Sequence, residues 1–135
     1  MKSALNDIIE SFGQLEPADR LEWLIEFGAS LPALPEAYHA ARNAGRHIVH
    51  ECQAPVFFKV ETKGNSLSII ADVPREAPIA RGFVSVLLNA FDGQPVNSLE
   101  QAPDDMLEAL HIRTLLGMQR QHGLGAIYGK LKAVL

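Results

Sequence analysis

The side chains of this 135-residue chain that could do chemistry gather around its one cysteine, in the run His47-Ile48-Val49-His50-Glu51-Cys52-Gln53. A thiolate is the one strong nucleophile the sequence offers. A nearby imidazole would accept the thiol proton or stabilise the thiolate, while Glu51 would push the pKa of Cys52 upward. A lone cysteine is also often a small buried hydrophobe, and the residues alone leave that reading open. Polar neighbours and Pro55, which interrupts a strand, argue against continuous core at this point. His47, His50 and Cys52 carry donor types that suit zinc. Alternation along a strand, however, puts His50 and Cys52 on one face and His47 on the other. His111 or His122 paired with Asp104 or Asp105 would supply the base and orienting group of a cysteine hydrolase. That pattern is weak in a chain with five histidines, and solvated surface residues explain it equally well.

The elements that must position these residues follow from periodicity. Leu5, Ile8, Ile9 and Phe12 fall at helical spacing before Gly13. A second helix opens near Pro17, with Asp19 and Glu22 in its early turns and Leu21, Leu24, Ile25 and Gly28 on one face, and ends near 28–31. The stretch from Pro32 to Arg46 reads as a surface connection with an irregular turn. From His47 the period changes, and β-branched and aromatic residues predict strands over 56–61 and 67–73, joined by a turn at Lys63-Gly64-Asn65-Ser66. Cys52 then lies on the connection entering the sheet, where exposure is expected. A buried helix over 77–91, an amphipathic helix over 104–116 and a last helix from about Gln119 to Val134 complete the order. Strands clustered between helices predict an α+β fold, a small antiparallel sheet of about three strands covered by helices, in one domain spanning 1–135.

Composition narrows the function. With 47% hydrophobic and 21% charged residues the chain can bury a core without disulfides or a structural metal. A net charge of −4 and the lack of a basic run argue against nucleic acid as a partner. One cysteine excludes an internal disulfide framework and fits a reducing compartment. Met1 to Phe12 lacks the pattern of a signal peptide, and no apolar run approaches membrane-spanning length, so the cytosol is the expected location, with no membrane partner. No resident cofactor or metal is expected.

Four stretches, in collinear order, resemble one known family. Asp19 to Leu34, ending Gly28-Ala29-Ser30-Leu31-Pro32-Ala33-Leu34, is similar to the helix and Gly-x-x-Leu-Pro-x-Leu signature of the SufE/CsdE sulfur-acceptor proteins. Cys52-Gln53 before Val56-Phe57-Phe58 resembles their Gly-Cys-Gln-Ser-x-Val-Trp segment, which carries the persulfide-forming cysteine. Ala71-Asp72 and Glu76-Ala77-Pro78-Ile79-Ala80-Arg81-Gly82-Phe83 resemble the opening of the family's central helix. Arg120-Gln121-His122-Gly123-Leu124 resembles its Ser-Arg-x-x-Gly-Leu stretch. The chain departs from the pattern at Glu51, where the family has glycine, at Ala54-Pro55, and at Leu116-Gly117-Met118-Gln119-Arg120, which fits a divergent paralogue.

The resemblance implies a SufE-like fold and a carrier, more than a stand-alone enzyme, that accepts persulfide sulfur on Cys52 from a pyridoxal-phosphate cysteine desulfurase of the SufS/CsdA kind. It further implies stimulation of that desulfurase and delivery to an iron-sulfur scaffold or another acceptor, by a monomer or weak homodimer. Cys52, Arg120 and Glu76 are the implied site residues. Glu76 stands where the family has aspartate and could pair with Arg120, or could be an early-turn carboxylate favoured by the helix dipole. Arg81 is a further candidate for docking, or a solvated helix residue. Val56, Phe58 and Phe83 are candidate shields for a persulfide, or ordinary core. The alternative is a non-catalytic SufE-like module that binds a desulfurase or other partner, with Glu51 disabling transfer. A metal protein using His50 and Cys52 is a third possibility.

Overall fold

A computed structural model describes residues 4–135. Met1, Lys2 and Ser3, which open the segment read for a signal sequence, lie outside the described residues. Helices α1 (Ala4–Gln14) and α2 (Pro17–Gly28) come first. After a short 3-10 turn and α3 (His39–Asn43) come strands β1 (Ile48–Val49), β2 (Val56–Lys63) and β3 (Ser66–Asp72). They are followed by α4 (Pro78–Phe91), α5 (Met106–Ala109) and α6 (Met118–Lys132). The strands form one antiparallel sheet in the order β1-β2-β3. The architecture is therefore the expected α+β sheet with helical cover. Among the described residues no helix is long and apolar enough to cross a membrane.

The hairpin β2-β3 closes at Gly64 and Asn65, with Lys63 facing Ser66 and the register running on to Phe57 facing Asp72. Gly64 has φ +62°, the positive value that the first central residue of a tight hairpin turn requires. Alternation sends Leu67, Ile69 and Ala71 of β3 and Val56 and Phe58 of β2 into the core. Phe57 on the other face is also fully buried. The 35–47 segment reaches that face: the His47 ring meets Phe57 edge-on at 5.9 Å, Lys59 lies over the Tyr38 ring, and Arg42 pairs with Asp72 at 2.9 Å. The stretch expected to be a plain surface connection is thus partly helical cover for the sheet. The edge of β3 is closed by the chain after α4, where Ile69 N donates to Asp92 Oδ1 at 2.9 Å and Leu67 N to Gln94 O at 2.8 Å.

Helix α4 is the core of the layer. Phe83, Val84, Val86 and Leu87 are fully buried, each contributing about 2 kcal/mol by removal from water. It crosses α2 with almost no space between backbones, because Gly28 and Gly82 meet there and a methyl at Gly82 would overlap the Leu24 carbonyl. Arg81 reinforces the crossing: its guanidinium donates to Val73 O at 2.7 Å and to Gly28 O at 3.2 Å. Arg81, expected as a docking or solvated helix residue, is half-buried and engaged by those two carbonyls. Phe12, Trp23 and Phe27 pack as an aromatic cluster, with Trp23 at 4.6 Å from Phe12 and 5.1 Å from Phe27 between ring centroids.

The helix expected over 104–116 is broken. Asp105 caps α5 by accepting from Glu108 N at 3.1 Å, and the chain reverses at His111, with φ +59°. Arg113 then turns back to Asp105, donating through Nε at 2.9 Å and Nη2 at 2.8 Å, and to Gln121 Oε1 at 2.8 Å. Hydrogen bonding from Arg113 holds the Asp105 carboxyl below its usual range. Gln121 Nε2 in turn donates to the Arg113 and Leu116 carbonyls at 3.0 and 2.9 Å, which fixes the start of α6.

The α2-α4 crossing gives a stability contrast within one residue type. Gly82→Ala is expected to cost about 3 kcal/mol through overpacking. Gly125→Ala, where an added methyl meets nothing within 4 Å, should stabilise by about 0.5 to 1 kcal/mol through helix propensity. Urea unfolding midpoints of the two variants check both signs.

Candidate functional site

Strand β1 ends at Val49, so the strand alternation expected for His50 and Cys52 does not apply. The chain turns instead, with Cys52 N donating to Val49 O at 3.3 Å, and Pro55 leads it into β2. Cys52 is half-buried on this turn, where exposure was expected. A second segment arrives from β3: Ala77 N closes a turn onto Pro74 O at 3.0 Å, and Pro78 begins α4 at a position where a missing N–H costs nothing. The third is the first part of α6, entered through Gly117.

These three segments enclose a cavity of about 340 Å³. Cys52, Gln53 and Ala54 line one side, Glu76 to Ala80 the second, and Gln119, Arg120, Gly123 and Leu124 the third. Cys52, Glu76 and Arg120 thus share one cavity although 24 and 44 positions separate consecutive members in the chain. Glu76 and Arg120 are both exposed, and neither side chain takes part in an ion pair or hydrogen bond among the described residues. The Glu76-Arg120 pair that the sequence allows is not formed. Both α4 and α6 begin at the cavity, so their N-terminal partial positive charges face it together with the Arg120 guanidinium. The lining thus carries one guanidinium, Arg120, and one carboxylate, Glu76, beside the thiol.

The resting thiol is not that anion. Burial, and behind it the Glu51 carboxylate, push the Cys52 thiol up to about 11. At pH 7 about one molecule in ten thousand then carries a thiolate. No histidine lines the cavity that holds Cys52. His47 is held below its usual value by burial and then by Lys130, Lys59 and Arg46, and it faces Phe57. His50 is exposed, and His111 packs beside Gly13 of α1. Asp105 is engaged by Arg113. Among the described residues no group of three or more His, Cys, Asp or Glu could hold a metal ion.

Val56, Phe58 and Phe83 are fully buried and do not line the cavity, which makes them core and leaves shielding of the sulfur to α6 and the start of α4. The residues that sequence reasoning passed over are Gln119, Ile79 and Gly123 on the cavity wall. Gly123 stood inside a quoted motif, and a glycine within a helix was the available signal.

The family model for SufE, the Fe-S metabolism associated domain, matches residues 6–135. The chain belongs to the SufE family. It is 32% identical over 133 residues to an uncharacterized SufE-like protein of Mycobacterium tuberculosis, covering 98% of this chain and 91% of that one. It is 30% identical over 111 residues to the sulfur acceptor protein CsdE of Escherichia coli, covering 81% of this chain and 71% of CsdE. The solution structure of a hypothetical protein from Thermus thermophilus superposes with a TM-score of 0.80 at 25% identity, over 96% of this chain and 91% of that one. The SufE-like α+β fold is thereby shown.

The electrostatics of this SufE-family site are open to direct measurement. The rate of Cys52 alkylation by iodoacetamide should rise with pH toward a midpoint near 11. Removing the neighbouring carboxylate in Glu51→Gln favours the anion and moves the midpoint down, though not to the ordinary thiol value, because burial is the larger cause. Coincident profiles for the two proteins would remove Glu51 from the account.

Proposed function

We propose that the chain is a sulfur carrier that takes sulfane sulfur from a pyridoxal-phosphate cysteine desulfurase onto Cys52 and passes it on toward iron-sulfur cluster assembly. The observation that carries this reading is the chain's one thiol on an open cavity whose other walls bear Arg120 and two helix starts. Membership of the SufE family and the similarity to a sulfur acceptor protein support it.

The transfer is a thiol exchange. Cys52 sulfur attacks the terminal sulfur of the donor persulfide, the donor's S–S bond breaks, and a new S–S bond forms at Cys52. The Cys52 proton leaves with the donor thiol, and no net oxidation occurs across the pair. A persulfide is a stronger acid than its parent thiol, so the loaded Cys52 ionises where the empty one does not. Arg120 and the starts of α4 and α6 then stabilise the perthiolate. Discharge repeats the exchange with the acceptor. A second thiol nearby would expel the sulfur as sulfide and close a disulfide, and the chain holds none. Glu76, on the same cavity lining as Arg120, offsets part of the attraction that this cation has for the loaded anion.

A second reading, a non-catalytic module that docks on a desulfurase or other partner, is favoured by one observation: the resting thiol is held protonated by burial and Glu51. The carrier reading answers it if docking draws the Cys52 turn outward and relieves the desolvation.

Incubation with a cysteine desulfurase and cysteine should give a one-sulfur adduct by intact mass, absent in Cys52→Ser. Arg120→Ala should slow loading about fivefold, as expected for loss of about 1 kcal/mol from an exposed charge contact, with no change in thermal stability. No adduct on the wild-type chain, together with desulfurase turnover unaffected by it, leaves the docking module as the reading.

A further inference from the structure

Helix α6 contains three glycines in different surroundings. At Gly125 and Gly129 an added methyl would meet nothing within 4 Å. At Gly123 it would stand 3.1 Å from Cys52 Sγ, 3.3 Å from Cys52 Cα and 3.4 Å from Glu51 O. Glycine is a poor residue for a helix interior, and Gly123 is buried, so the space left by its missing side chain is filled by another part of the chain. What fills it is the cysteine turn.

We infer that Gly123 is a positioning residue that seats the thiol: the α6 backbone, bare at this position, is the surface on which the Cys52 turn rests. The depth of that seat sets how far the sulfur stands inside the cavity. Giving the seat a part in sulfur loading rests on the proposed function, whereas the contact itself does not.

The consequence of filling the seat follows from which side can yield. Leu124, Ile127 and Leu131 anchor α6 in the core, so the helix stays. The Cys52 turn lies at the surface, with His50, Glu51, Gln53 and Pro55 exposed, and it gives way by a few tenths of an ångström. The sulfur then gains water. Glu51 moves together with the sulfur on the same turn, while Glu76 at the entry to α4 and Arg120 in the first turn of α6 keep their places. Lys130 on the last turns of α6 is reached through the field of Glu51. Loss of desolvation is therefore the change that the thiol registers.

The test compares the full chain with Gly123→Ala and Gly125→Ala, using iodoacetamide alkylation of Cys52 as a function of pH. Gly123→Ala should move the midpoint down by half a unit or more, about threefold or more in rate at pH 8, while Gly125→Ala overlays the wild type. A Gly123→Ala profile that coincides with the wild type, or moves upward, overturns the inference. Thermal unfolding supplies a second arm that does not depend on reactivity. The loss of Tm caused by Gly123→Ala should be smaller in a Cys52→Ala background, and an equal loss in both backgrounds also overturns it. Neither arm uses a desulfurase. A wild-type chain that forms no sulfur adduct would thus defeat the carrier reading and leave the seat standing.

Discussion

Partial removal of one sulfur atom from water governs what this site can do. A thiol loses little by being half-buried, but its anion loses a great deal, and the Glu51 carboxylate adds to the penalty. Arg120 and the starts of α4 and α6 line the same cavity, but an exposed arginine is well screened and helix-end charges act only at short range, so burial and Glu51 decide the state of the empty thiol. The balance changes for a more acidic group on the same atom. Under the proposed function, the same lining that leaves the empty carrier protonated accommodates the loaded carrier as an anion.

None of the three cavity walls stands alone. The wall from α4 is placed by the crossing of α2 and α4, where Gly82 lies directly against Leu24 and Arg81 ties the Val73 and Gly28 carbonyls together. The wall from α6 is placed at its start by Arg113, which joins Asp105 to Gln121, and along its length by Leu124, Ile127 and Leu131 in the core. The cysteine turn is placed by β1 and β2 on one side and by α6 on the other. Two walls are thus anchored in buried contacts, and the third, which bears the nucleophile, lies at the surface.

The sheet and the long helices were legible because each has a strong local signal. β-Branched and aromatic residues marked β2 and β3, Gly64-Asn65 marked their turn, and the largely apolar stretch 77–91 marked α4. The broken segment after Asp104 was not legible in periodicity. Met106, Leu107 and Leu110, and then Ile112, Leu115 and Leu116, recur at three and four residues as on a helix, yet the chain reverses at His111 and Arg113 reaches back to Asp105, a contact that spacing does not encode. The role of 35–47 in covering Phe57 was hidden for a similar reason, since that segment has little hydrophobic pattern and works through His47, Tyr38 and Arg42. For the site, the ordered family motifs picked out Cys52, Glu76 and Arg120, which line the same cavity. The depth of the thiol could not be read from its polar neighbours, because α6 buries it from 71 positions away, through a glycine whose side-chain absence is what matters.

The position of Glu51 gives the electrostatic argument its last step. Its carboxylate acts on Cys52 in one direction, raising the thiol, and on Lys130 in the other, opposing the fall in that ammonium's pKa caused by burial. Burial nevertheless remains the larger cause of the rise at the thiol. In this chain the thiol therefore feels two restraints of different physical kind. Burial responds to movement of the turn, and the Glu51 field responds to the charge of whatever approaches. Under the proposed function, a partner that both displaces the turn and presents a cation to Glu51 would remove both restraints together.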